Sequence, residues 1–63
     1  MKLTPRQKQI LGLIARGYSC KEISKELGVA KSTVKNTMST VLERLEAKNS
    51  PNAVYICMRE GWI

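Results

Sequence analysis

The sequence contains no histidine and no aspartate, so each of its five carboxylates is a glutamate. Without histidine it lacks both the commonest general acid–base group and the commonest metal ligand. Its two cysteines, Cys20 and Cys57, lie far apart and do not show the short paired spacing of a zinc or redox motif. They are expected as small core or near-surface thiols in a reducing cytoplasm, not as a disulfide. No apolar run is long enough to cross a bilayer, and no charged segment followed by an apolar one opens the chain as a signal peptide would. Repeats, low-complexity tracts and linkers are absent as well. A chain of 63 residues makes one domain, burying roughly 60% of its unfolded surface, with little room for both a core and an enclosed substrate cavity. The expectation is no enzyme, no metal, no cofactor and no small-molecule ligand.

Positive charge is what the sequence has in excess. Eleven Lys and Arg stand against five Glu, for a formal +6. The excess is uneven. Lys2, Arg6, Lys8, Arg16, Lys21, Lys25, Lys31 and Lys35 face only Glu22 and Glu26 within residues 1–42, whereas Arg44, Lys48 and Arg59 balance Glu43, Glu46 and Glu60 in residues 43–63. Such asymmetry assigns one segment to a polyanion and another to a different task. The competing reading is a basic helical domain that is merely well solvated.

Periodicity and punctuation divide the chain into four helices. Thr4-Pro5 supplies a cap and a first-turn proline, Ile10, Leu11, Ile14 and Ala15 recur at helical spacing, and Gly17 closes the segment near Arg16. Ser19 and Glu22 form a capping box, Ile23 and Leu27 share one face, and Gly28 stops this short second helix. A turn, Gly28-Val29-Ala30, leads into a helix over about 31–47 with an apolar stripe of Val34, Met38, Val41, Leu42 and Leu45. The other side of its first half carries Lys31, Ser32, Lys35, Asn36, Ser39 and Thr40, a face without a carboxylate; Glu appears only later, at Glu43 and Glu46. Ser50-Pro51 repeats the cap-and-proline signal for a last helix over about 51–60, where Ala53 to Met58 are apolar without interruption. One stripe of that helix faces the core. The remainder either forms a partner surface, the favoured reading, or is sunk unusually deep.

A short helix, a glycine-containing turn and a second, polar-faced helix make a helix-turn-helix, here about 19–38. A helix fits the major groove, and the early residues of the second helix are those that reach base edges. Asn36 matches adenine; Lys35 suits guanine or a phosphate; Ser39, one turn on, suits several bases. Lys31, Ser32 and Thr33 sit where free helix amides meet the DNA backbone, Lys21 reaches a phosphate from the preceding helix, and Arg44 is a further phosphate candidate. Each alone would pass for an idle surface side chain. Their placement on one face gives them weight.

The run from Leu3 to Val54 resembles the LuxR/GerE-type helix-turn-helix of bacterial transcription regulators. Leu3-Thr4-Pro5-Arg6, Ala15-x-Gly17-x-Ser19, Lys21-Glu22-Ile23, Leu27-Gly28-Val29, Ser32-Thr33-Val34-Lys35-Asn36 and Ala53-Val54 stand at that family's spacings. The resemblance implies an all-α, four-helix fold without a wing, spanning 1–63. It places the third helix in the major groove and makes the fourth, through Val54, Tyr55 and Met58, a dimer surface. Members usually carry an amino-terminal receiver or ligand-binding domain. With Met1 as its start, the chain is expected to stand alone without either, regulated by abundance or by a partner.

Several positions depart from the family pattern. Gln7 replaces a usual Glu, Ala30 a capping Ser, Lys31 an acidic residue and Thr37 a His. Glu46-Ala47 replaces Gly-Val, which is expected to let the third helix run on, and Ser50 replaces a frequent Arg. The leading functional expectation is a sequence-specific regulator of double-stranded DNA, homodimeric and cytoplasmic, from a bacterium or a phage. Another LuxR-type regulator or RNA polymerase is a further partner. The alternative is a small interaction module that pairs through its last helix with a full-length regulator and modulates it.

Overall fold

A computed structural model describes residues 3–63. Four helices follow in order: α1 (Pro5–Ala15), α2 (Cys20–Leu27), α3 (Lys31–Leu45) and α4 (Ser50–Arg59). No strand occurs among the described residues. The architecture is the all-α four-helix arrangement expected from the sequence.

Each start has a chemical cause. Thr4 caps α1 in a reciprocal box: the Gln7 N–H donates to Thr4 Oγ1 (3.1 Å) and the Thr4 N–H donates to Gln7 Oε1 (3.0 Å). Gln7, singled out in the sequence only as a missing carboxylate, is the one buried polar side chain of the described residues, and this box satisfies it. Ser19 and Glu22 form the same box at α2, as expected. At α3 the cap position is Ala30, which offers no side-chain hydrogen bond.

Two boundaries differ from expectation. The sequence pointed to Ser50 as the cap of the last helix, but Asn49 fills that role and Ser50 is already helical. Asn49 Oδ1 accepts from the Asn52 N–H (2.9 Å), while Asn52 Oδ1 accepts from the Lys48 N–H (3.0 Å), so two asparagines three apart satisfy two free amides. The second difference is the end of α3. The expected run-on toward Ala47 does not occur, because Glu46 turns left-handed (φ 53°, ψ 37°) and stops the helix at Leu45. The Ala47 N–H donates to the Leu42 carbonyl (2.9 Å) and the Glu46 N–H to the Glu43 carbonyl (3.2 Å), closing a Schellman turn.

The core gathers one stripe from each helix. Leu3, Ile10, Leu11, Ile23, Val34, Met38, Val41, Ala53 and Cys57 are buried, with Leu13, Ile14, Leu27, Leu42 and Leu45 packed around them. Ala15, on the expected apolar face of α1, is exposed. Each fully buried aliphatic side chain contributes roughly 1.5–3 kcal/mol relative to exposure, which holds the eight-residue α2 in place though it is too short to persist alone. The α1 and α3 helices pack on every other element, whereas α2 and α4 do not meet. The two ends of the domain are thereby kept apart.

Candidate nucleic-acid interface

The candidate interface lies on α3. Its buried residues, Val34, Met38 and Val41, fix the helix's rotation against α1 and α2. At 3.6 residues per turn, Ser32, Asn36, Ser39 and Glu43 then fall within an arc of about 60° on the opposite side. All four are exposed. Lys31 and Lys35, also exposed, flank one side of that stripe, while Thr33, Thr40 and Arg44, exposed too, flank the other. The structure thus brings Asn36, Ser39 and Ser32 onto one outward line, with basic residues on both borders.

Thr37 is half-buried, and its hydroxyl donates to the Thr33 carbonyl (2.8 Å), back into its own helix. It does not present a free polar group to the outer face. The missing cap at Ala30 leaves the first amides of α3 without a side-chain partner, beside the exposed Lys31. The Thr33 N–H donates to the Ala30 carbonyl (3.0 Å), so it is the Lys31 and Ser32 amides, the positive end of the helix dipole and an ammonium group that together favour an anion there. At the start of α2, Lys21 is exposed. Its neighbour Glu22 is folded back on Ser19, whose backbone N–H and then hydroxyl hold that carboxyl below the usual range. Among the described residues the only ion pair joins Arg59 to Glu60 (3.3 Å). Lys21, Lys31, Lys35 and Arg44 therefore keep their charges uncompensated by any carboxylate within ion-pair distance.

A family model described as "Bacterial regulatory proteins, luxR family" matches residues 1–57. The chain belongs to the LuxR family of bacterial regulatory proteins. That makes it a helix-turn-helix domain of a class of DNA-binding transcription regulators, not of an enzyme class. It is 43% identical over 60 residues to the transcriptional regulatory protein DesR of Bacillus subtilis, covering 95% of this chain and 30% of that protein. The response regulator protein VraR of Staphylococcus aureus is 38% identical over 61 residues, which cover 97% of this chain and 29% of VraR. The solved structure of the transcription factor GerE superposes with a TM-score of 0.92 at 33% identity, covering 95% of this chain and 90% of GerE. The chain spans about 30% of the length of the DesR and VraR sequences it matches.

At the far end of this LuxR-family domain, α4 turns Ala53 and Cys57 inward and leaves Val54 and Ile56 half-buried. Tyr55 and Met58 project outward, 60% and 63% exposed. The Arg59 guanidinium lies over the Tyr55 ring, 5.6 Å from its centroid. Cys20 and Cys57 are free thiols. No group of three metal-ligating side chains occurs among the described residues, and no described helix is long and apolar enough to cross a membrane.

Proposed function

We propose that this chain is a sequence-specific regulator that binds double-stranded DNA as a homodimer, inserting α3 of each copy into the major groove. In this reading Lys35, Asn36 and Ser39 meet base edges, while Lys21, Lys31, Ser32, Thr33 and Arg44 meet phosphates. The observation that carries it is the outer stripe of α3. Its first three turns are exposed and free of carboxylates, flanked by ammonium groups that no carboxylate neutralises. Val54, Tyr55 and Met58 form the dimer contact, so two recognition helices read half-sites about one helical turn apart. The protein acts in the cytoplasm, on the nucleoid when bound, with RNA polymerase or a second LuxR-type regulator as further partners.

The experiment is quantitative binding to DNA selected in vitro from a random pool, across a salt series. Wild type gives a near-palindromic site and an affinity that falls steeply with salt. Lys35→Ala with Asn36→Ala abolishes discrimination between that site and unrelated duplex; unchanged discrimination would refute the groove assignment. Lys35 alone separates its two roles. As a base reader its loss relaxes one position of the site, and as a phosphate contact it lowers the salt slope by about one.

The exposed Tyr55 and Met58 favour a second reading, in which the chain pairs through α4 with a full-length regulator and alters that protein's dimer. Sedimentation equilibrium decides between them. A homodimer supports the first reading; a stable monomer with only weak, non-specific DNA binding supports the second.

A further inference from the structure

Glu43 occupies a position that local stability does not explain. It lies in the last turn of α3, where the helix dipole favours cations over anions. Its neighbours at three and four residues are Ser39, Thr40, Glu46 and Ala47. None is a cation, and one is a second carboxylate, so no helical pair stabilises it. Arg44 is adjacent in sequence but turned about 100° around the helix, and no ion pair to Glu43 forms. Yet Glu43 shares the outer stripe with Ser32, Asn36 and Ser39 and is exposed. If that stripe faces DNA, an unpaired carboxylate is carried toward the most negative surface the domain meets.

Most base edges repel such a group. Guanine presents two acceptors in the major groove, thymine an acceptor and a methyl, and adenine an amine beside an acceptor. Cytosine alone presents an amine without an acceptor of its own, and that amine suits a carboxylate. Glu43 lies seven residues beyond Asn36, about 10 Å along the helix axis. At 3.4 Å per base step that is roughly three base pairs. We propose that Glu43 is a specificity-determining residue. Its carboxylate accepts a hydrogen bond from a cytosine N4 amine about three base pairs from the base that Asn36 reads, and it penalises every other base there. The proposal rests on the major-groove reading of α3. It gives the far end of that helix a task the basic residues cannot perform, since they attract any sequence alike.

The test repeats the in vitro selection with wild type, Glu43→Ala, Glu43→Gln and Asn36→Ala, all exposed-surface changes on one helix face. Wild type selects a cytosine in each half-site that Glu43→Ala no longer selects. Replacing that cytosine by thymine weakens wild type by roughly tenfold, the loss of one good base contact. Glu43→Ala falls by less than about twofold, and it binds unrelated duplex more tightly than wild type at low salt. Glu43→Gln retains an acceptor and gains a donor, so it keeps cytosine and admits adenine. Asn36→Ala loses its preference at a different position. If Glu43→Ala selects the wild-type motif base for base, the cytosine assignment is overturned and the groove reading stands. A wild type that selects no motif overturns both.

Discussion

The left-handed residue at the end of α3 gives the sharpest test of the fold's energetics. The chains leaving α1, α2 and α4 turn through Gly17, Gly28 and Gly61, with φ of 94°, 67° and 74°. Only at α3 does a residue with a β-carbon, Glu46 at φ 53°, adopt that conformation. For such a residue the left-handed region costs roughly 1–2 kcal/mol, which glycine escapes. Against that relief stands the extra unfolded-state freedom of glycine, about 0.4–1 kcal/mol. Glu46 also places a negative charge at the negative end of the helix dipole, an exposed interaction of about 0.3–1 kcal/mol. The net expectation for Glu46→Gly is a gain of about 1 kcal/mol, or about 4–8 °C in Tm for a domain of this size. Glu46→Ala removes the charge but keeps the β-carbon, so it gains only the dipole part. Thermal and urea unfolding followed by circular dichroism, at one protein concentration for all three chains, separate the contributions. A Glu46→Gly variant no more stable than Glu46→Ala would show that any strain stored there is no larger than glycine's unfolded-state freedom, about 0.4–1 kcal/mol, and would refute the roughly 1–2 kcal/mol assigned to it.

Two further changes probe other parts of the fold. Gly12 sits inside α1 in an open groove with Lys8, Leu13, Arg16 and Leu27, and a β-carbon there would meet nothing within 4 Å; Gly12→Ala should therefore stabilise by about 0.5–1 kcal/mol in urea unfolding. The Ser19 backbone N–H and hydroxyl hold the Glu22 carboxyl below the usual glutamate range, so its stabilising effect is fully present above that range and disappears as pH falls through the lower, folded-state pKa. Glu22→Gln should flatten that acid limb of the stability profile and leave the profile near pH 7 without a comparable change of slope.

What the sequence disclosed, and what it did not, follows from how local each cause is. Thr4-Pro5, the Ser19–Glu22 box and Gly28 act within a few residues, so the starts of α1 and α2 and the turn before α3 could be read directly. The stop at Glu46 is not local. Nothing in Glu46-Ala47 favours a left-handed turn, which is imposed because Leu42 and Leu45 must pack while the chain reverses to lay α4 on α1 and α3. Asn49 and Ser50 are both good caps by residue type; in the fold Asn49 Oδ1 takes the Asn52 N–H, and Asn52 reaches back to the Lys48 N–H. In α4 no polar residue interrupts Ala53 to Met58, so periodicity had nothing to mark the inward stripe; the structure turns in Ala53 and Cys57.

The exposed, carboxylate-free face of α3 was legible for the opposite reason, because the absence of carboxylates from residues 31–40 is itself a pattern. That same pattern concealed Glu43. In the sequence it groups with Glu46 as ordinary solvated charge, and what separates the two is the stop at Leu45, which leaves Glu43 helical while Glu46 turns left-handed. Glu43 joins the line of Asn36 and Ser39, while Glu46 caps the helix and points the chain toward α4. The packing scheme then accounts for how one small domain can hold two surfaces. Because α2 and α4 never touch, the start of α2 and the outer side of α3 are free to meet one partner while Tyr55 and Met58 meet another. Neither contact has to displace the other, as the assembly proposed for this domain requires.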